Sequence, residues 1–382
     1  MAVRRIVCWL MVMTLVGSLG VGVSAAPAEV AAKSAILMDA ATGTVLYEQR
    51  SHEALAPASV TKVMTMLLIM EAIDSGKLSW EDTVTASEAA AAKGGSQIYL
   101  KVGETMTVSD MVKSIAVSSA NDCACAMAEH LAGSEAAFVD MMNQRAQELG
   151  MTDTHFVNCT GLDDEPEAAS HKTSAADIAI MSRELLTKHP EIKKYTTIWM
   201  DTVRNGTFGL SNTNKLVRFY SGATGLKTGF TAAAGYCLSA SAQREGMELI
   251  AVVMGSETSQ ARFAACKSLL DYGFANYALV KPEVETAEVI VSLGSQSTVG
   301  AVPTQIPQLL IDKSQRDSVH TTVELKDSVA APVSRGQRLG TLTVKAGEQV
   351  LQQIPLVAET SVPRLSFSQL YVQILKRLCM AK

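Results

Sequence analysis

Ser59-Val60-Thr61-Lys62-Val63-Met64-Thr65-Met66-Leu67-Leu68-Ile69-Met70 decides how this chain folds. Residues 60–73 are almost wholly apolar and too long for a strand, so the run predicts a buried helix. A serine opens it and a lysine follows three residues later, a spacing that puts both side chains on one helical face. Lys62 stands among Val63, Met64, Met66 and Leu67, where an ammonium group is costly unless something uses it. A serine hydroxyl is a poor nucleophile and needs a base beside it. A lysine in apolar surroundings, near a second cation, gives up its proton and can be that base. An isolated Ser-x-x-Lys is more often a capping serine with a surface lysine. The apolar run around Lys62 weighs against that reading here.

Two other short motifs occur once each. Ser119-Ala120-Asn121 stands between helices predicted over residues 109–117 and 122–131, and alone would be an ordinary N-cap. Lys227-Thr228-Gly229 lies where a strand should begin, and alone would be turn chemistry. Lys227 is the candidate second cation. The three motifs in this order form the pattern of penicillin-binding proteins and class A β-lactamases.

The rest of the chain frames them. Of 382 residues, 48% are apolar and 19% charged, with a net charge of −5, which describes a globular protein and excludes nucleic acid as a partner. Residues 1–25 carry Arg4 and Arg5, an apolar run and Val23-Ser24-Ala25, the order of a secretory signal peptide cleaved after Ala25. The seven cysteines do not fall into a disulfide pattern and are read as buried free thiols. No Cys/His spacing suggests a metal, and no cofactor is implied.

Residues 26–278 mix both periodicities: a hairpin near residues 35–47, helices at 175–186 and 260–272, and adjacent strands at 236–242 and 249–255. Helices around a largely antiparallel sheet fit this order, an α/β fold of the α+β kind. Residues 279–361 change texture to short β runs, a separate small β domain. Within it Val319, Thr321, Val323 and Leu325 alternate with polar residues as a half-buried strand would. In residues 362–382, Phe367, Leu370, Tyr371, Ile374, Leu375 and Leu378 form one apolar stripe, with Arg364, Lys376, Arg377 and Lys382 and no acidic residue. That reads as an amphipathic helix lying in a membrane surface, against the alternative of a helix docked on its own domain.

The whole chain resembles low-molecular-mass penicillin-binding proteins, the D-alanyl-D-alanine carboxypeptidases with a C-terminal amphipathic anchor. The likeness rests on Pro57-Ala58-Ser59-Val60-Thr61-Lys62, Ser119-Ala120-Asn121-Asp122, Gly161-Leu162-Asp163, His171 with Ala175-Ala176-Asp177, Gly225-Leu226-Lys227-Thr228-Gly229 and Ala234-Gly235-Tyr236. It implies a β-lactamase/transpeptidase-like catalytic domain that trims a D-alanine from peptidoglycan stem peptides and is acylated by β-lactam antibiotics. It further implies Ser59 as nucleophile, Lys62 as its base and Ser119 as proton relay. Asn121 and Thr228 would bind substrate, Lys227 would set the local field, and the backbone N–H groups of Ser59 and Phe230 would form the oxyanion hole. Phe230 stands where some relatives carry histidine, so only its backbone has a role. Arg262 matches an arginine that contacts the substrate's terminal carboxylate. His171 reads as structural, holding the loop after Gly161-Leu162. The expected location is the outer face of the cytoplasmic membrane.

Rivals remain at this stage. A class A β-lactamase needs a carboxylate base for its deacylating water. Glu165-Pro166-Glu167 is a superficial match, but Ala168-Ala169 follow where an asparagine should help hold that water. A transpeptidase usually carries larger extra domains. A non-catalytic penicillin-binding sensor or scaffold has no use for a buried lysine beside a serine.

Overall fold

A computed structural model describes residues 30–164, 166–285, 287–306 and 308–380. The signal-peptide reading at residues 1–25 and Glu165 lie outside the described residues.

The catalytic half is organised by one five-stranded antiparallel sheet. Its strands lie in the order Val45–Gln49, Ser34–Asp39, Met247–Ser256, Gly235–Arg244, Ala223–Thr231. The middle strand, Met247–Ser256, is buried along its whole length because both faces of the sheet are covered. Successive side chains go to opposite sides. Ile250, Val252 and Met254 join a large helical core, while Leu249, Ala251 and Val253 pack with Leu269, Leu270 and Phe274 of the helix Ser259–Asn276.

The decisive helix is where the apolar run put it, with one refinement. Ala58–Thr61 is a 3-10 turn, and the α-helix proper is Lys62–Asp74. Its residues from Lys62 to Met70 are all buried, as expected of a helix apolar all round. Val108–Ser118 and Asn121–Ala132 flank it. Ser119 ends the first of these in the left-handed conformation, and Ala120, not Ser119 or Asn121, is the N-cap of the second. Lys227-Thr228-Gly229 lies in the middle of its strand and not at the start, because pairing with Gly235–Arg244 runs from Ala223 to Thr231.

The β half is a six-stranded sheet with its own core of Val289, Leu339, Leu342, Ile354, Leu356 and neighbours. Val319–Leu325 is its edge, bonded on one side to Arg338–Ala346. The expected alternation holds in part: Val319, Thr321 and Leu325 are half-buried between exposed neighbours, but Val323 is exposed. Beyond it the helix Phe367–Met380 leaves Phe367, Tyr371, Ile374 and Leu375 exposed, so these residues are not docked on the domain. No described helix is long and apolar enough to cross a membrane.

Candidate active site

The turn at residues 58–61, the junction between the two flanking helices and the edge strand Ala223–Thr231 bring the three motifs to one place. Lys62 is fully buried, and its Nζ lies 2.9 Å from Ser59 Oγ while donating to the Thr160 carbonyl at 2.8 Å. Burial lowers its pKa from 10.5 to about 7, against the pull of Cys159 and Asp122. A neutral amine at that position donates to Thr160 and keeps a lone pair for the serine hydroxyl.

Lys227 is also fully buried and donates to the Thr228 carbonyl at 2.9 Å. Its pKa falls well below the usual lysine value, through burial first and then through the charges of Lys62 and Arg262. The sequence reading named apolar surroundings and a nearby cation as the causes that would lower Lys62. Burial is the larger of them, and the two lysines lie close enough for their charges to interact.

Ser119, at φ 63°, is buried and its Oγ has no hydrogen-bond partner among the described residues. Asn121 donates through Nδ2 to the Gly94 carbonyl at 2.7 Å, leaving Oδ1 unpaired. Unpaired buried acceptors and hydroxyls are costly, and they gather where a substrate supplies the missing partner. Asp122 supports the arrangement from behind by accepting from the backbone N–H groups of Leu100 at 3.0 Å and Ile98 at 3.1 Å.

Gly229 has no positive φ, and its requirement is space. A Cβ there would lie 2.7 Å from the Pro57 carbonyl oxygen and 3.1 Å from the Ser59 nitrogen. The strand therefore runs flush against the serine turn. Thr228 Oγ1 donates to Thr213 Oγ1 at 2.7 Å, and Phe230, 53% exposed, stacks on Tyr236 with ring centroids 4.2 Å apart. The Arg262 guanidinium reaches the same strand from the far side of the sheet. Its Nη1 donates to the carbonyls of Gly229 at 2.8 Å and Cys237 at 3.3 Å, it lies over Tyr236, and Nε has no partner among the described residues. It does not cap its helix, since Thr258 does.

Of the eight residues singled out from the sequence, Ser59, Lys62, Ser119, Asn121, Lys227, Thr228 and Phe230 lie on or directly beside these converging elements, while Arg262 reaches the strand from the helix Ser259–Asn276. Sequence reasoning missed Thr160, Asn158 and Thr213. Asn158 Oδ1 accepts from the Thr160 and Gly161 nitrogens at 3.2 and 2.7 Å and so bends the loop that aims the Thr160 carbonyl at Lys62. Asn-x-x-Gly is turn chemistry and was a usable signal. Among the described residues of this loop, Asp163, Asp164 and Glu167 are exposed and bond to none of the eight. Cys123, Cys125, Cys159, Cys237 and Cys266 are free and buried, as expected.

A half-buried serine on a fully buried lysine, backed by orphaned polar groups on this sheet-and-helix frame, defines a serine acyl-transfer hydrolase. Residues 21–258 match the family model described as D-alanyl-D-alanine carboxypeptidase, and residues 274–364 match that of the penicillin-binding protein 5 C-terminal domain. The chain belongs to the D-alanyl-D-alanine carboxypeptidase family and carries out that family's serine-type hydrolysis in cell-wall metabolism. It is 45% identical over 343 residues to D-alanyl-D-alanine carboxypeptidase DacF of Bacillus subtilis, covering 88% of this chain and 87% of that one. Identity to DacC of Escherichia coli is 33% over 350 residues, with 88% and 85% covered. Penicillin binding protein 5 from Haemophilus influenzae superposes with a TM-score of 0.75 at 30% identity, covering 89% of this chain and 99% of that chain. Penicillin-Binding Protein D2 from Listeria monocytogenes, solved in its ampicillin-bound form, gives 0.56 at 32% identity, covering 64% and 98%.

Proposed function

We propose that Ser59 attacks the peptide carbonyl between the last two D-alanines of a peptidoglycan pentapeptide stem. Lys62 takes the hydroxyl proton as the new C–O bond forms. The C–N bond then breaks, a proton passes by way of Ser119 to the departing amine, and D-alanine leaves. Water hydrolyses the resulting ester and restores Ser59. Asn121 and Thr228 hold the substrate backbone, Lys227 sets the local field, the Ser59 and Phe230 N–H groups receive the oxyanion, and Arg262 receives the terminal carboxylate. A β-lactam offers a strained amide to the same hydroxyl and acylates it. The observation that carries this reading is the 2.9 Å approach of a lysine with a pKa of about 7 to Ser59 Oγ.

The test is mass spectrometry of a pentapeptide stem incubated with the protein, alongside labelling by a fluorescent penicillin. One alanine is lost from the peptide, and Ser59→Ala abolishes peptide turnover and labelling together. Labelling that survives in Ser59→Ala overturns the assignment, and stem dimers in place of alanine release point to transpeptidation.

The same reading has the protein at the outer face of the cytoplasmic membrane, exported by residues 1–25 and held by the helix that begins at Phe367. The expected boundary at residue 362 moves later, because Val362 is buried in the β-domain core and bridged to Val333. The support is the exposure of Phe367, Tyr371, Ile374 and Leu375, joined in sequence to Arg364, Lys376, Arg377 and Lys382.

A further inference from the structure

His171 lies outside the group of residues assigned to chemistry, yet its ring joins the two loops on which that chemistry depends. It is buried, and the two residues that follow it make short β bridges to two different loops. Thr173 exchanges both backbone hydrogen bonds with Leu55, on the chain leading to Ser59. Lys172 does the same with His155, on the chain leading to Thr160. The ring repeats this bridge with its two nitrogens. The Val157 N–H donates to Nδ1 at 3.2 Å, so Nδ1 carries no proton and the neutral ring holds its hydrogen on Nε2. Nε2 is 2.9 Å from Thr61 Oγ1 and donates to it. Thr61 Oγ1 in turn donates to the Ala58 carbonyl at 2.9 Å.

The end of this chain matters most. The Ala58 carbonyl and the Ser59 N–H belong to one peptide unit, and in a planar trans peptide they point in opposite directions. Fixing the oxygen fixes the hydrogen. Ala58 sits in the left-handed region at φ 49°, a conformation an alanine keeps only when its surroundings impose it. Gly161 packs against the same carbonyl and the Thr61 hydroxyl, since a Cβ there would fall on both. A hydrogen bond accepted by the carbonyl also polarises the N–H of the same peptide.

We infer that His171 is a positioning residue that, through Thr61, sets the plane of the Ala58–Ser59 peptide and so aims the Ser59 N–H at the developing oxyanion. This rests on the reading that the Ser59 N–H is an oxyanion donor. A merely structural histidine would hold the loops together without favouring the tetrahedral state over the ground state.

The experiment measures acylation by a fluorescent penicillin and inhibition by a boronic acid analogue of D-alanine, which forms a tetrahedral adduct with an oxygen in the oxyanion position. Outright loss of an oxyanion donor costs ~10²–10³-fold in rate, so misalignment should cost about 10- to 100-fold. His171→Phe and Thr61→Val should each slow acylation by this factor, weaken the boronic acid by a similar factor, and leave the non-covalent dissociation constant for penicillin within about twofold. The double variant should lose no more than either single variant, since both cut one chain of bonds. His171→Gln, whose amide N–H can still reach Thr61, should recover most of the loss.

Additive losses in the double variant, or normal acylation in a folded Thr61→Val, overturn the inference. So does a Gln variant as impaired as Phe. Loss of boronic acid binding in Ser59→Ala, with His171→Phe acylating normally, sinks this inference and leaves the assignment of Ser59 standing. Labelling of Ser59→Ala sinks the assignment itself.

Discussion

Two regions of this molecule invert the usual rule of apolar inside and charged outside, in opposite senses. At the cleft, Lys62 and Lys227 are among the largest fully buried side chains, in the company of Phe138, Phe156 and a row of methionines. At the C-terminus, Phe367, 85% exposed, and its apolar neighbours stand in water. Each inversion costs free energy that the local fold does not recover. Buried charge marks a site whose partner is small and enters the protein. Exposed apolar surface marks one whose partner is large and which the protein enters. The difference predicts how each region responds to removal.

The largest effect is expected from Lys62→Met, which keeps much of the side chain's volume and discards the amine. General-base assistance is commonly worth ~10²–10⁴-fold, and penicillin acylation should fall by that factor. The melting temperature should hold or rise, because the burial cost leaves with the charge. A variant that acylates normally would take lysine out of the mechanism. One that unfolds would mean that the bond to Thr160 outweighs the burial cost.

Next comes Arg262→Ala. If the guanidinium receives the terminal carboxylate, turnover of free-acid peptides should weaken by roughly 2–4 kcal/mol of transition-state binding. The bonds from Arg262 to the carbonyls of Gly229 and Cys237 mean that part of any loss is strand disorder. An amidated peptide feels that part alone. The difference between the two substrates isolates the carboxylate, and equal losses would leave Arg262 as a brace for the strand.

The third effect is on stability. Lys62 releases its proton near 7 when folded and near 10.5 when free. Between these values the unfolded chain binds the extra proton, so stability rises with pH by up to about 1.4 kcal/mol per unit. Below about 7 the lysine is charged in both states and its burial cost is present in full. Denaturation midpoints measured from pH 7 to 9 should climb more steeply for wild type than for Lys62→Met. Equal slopes would assign the proton to another group.

The smallest effect on chemistry belongs to the other region. Deleting residues 367–382, and keeping Val362 because it is buried in the β-domain core, should move the protein from the membrane pellet to the supernatant and leave turnover of a soluble peptide within about twofold. A truncated chain that still pellets would end the anchor reading.

Legibility followed the same divide. The buried helix, the hairpin, the adjacent strands 235–244 and 247–256 and the three motifs could be read because each has a side-chain period or a distinctive residue pair. The Thr160 carbonyl could not, since a backbone acceptor leaves no mark in composition. Thr213 was hidden because a threonine in a loop is ordinary until Thr228 is seen against it. Val319–Leu325 had the right alternation but no way to announce that it lies at an edge. His171 was read as holding a loop. The direction of its two hydrogen bonds, which sequence does not carry, gives it a further part.

Gly229 bears on what natural variation the site can tolerate. The strand and the serine turn meet backbone to backbone, so the separation of the Ser59 and Phe230 amides is gauged by an atom that is missing. Any side chain at 229, even a methyl, acts as a shim. It would push the strand off the serine turn and spread the two amides, on which the proposed mechanism makes the stem peptide and the β-lactam depend alike. An escape from the drug by this route therefore forfeits the substrate, and tolerance has to be sought at positions that touch one of the two and not the other.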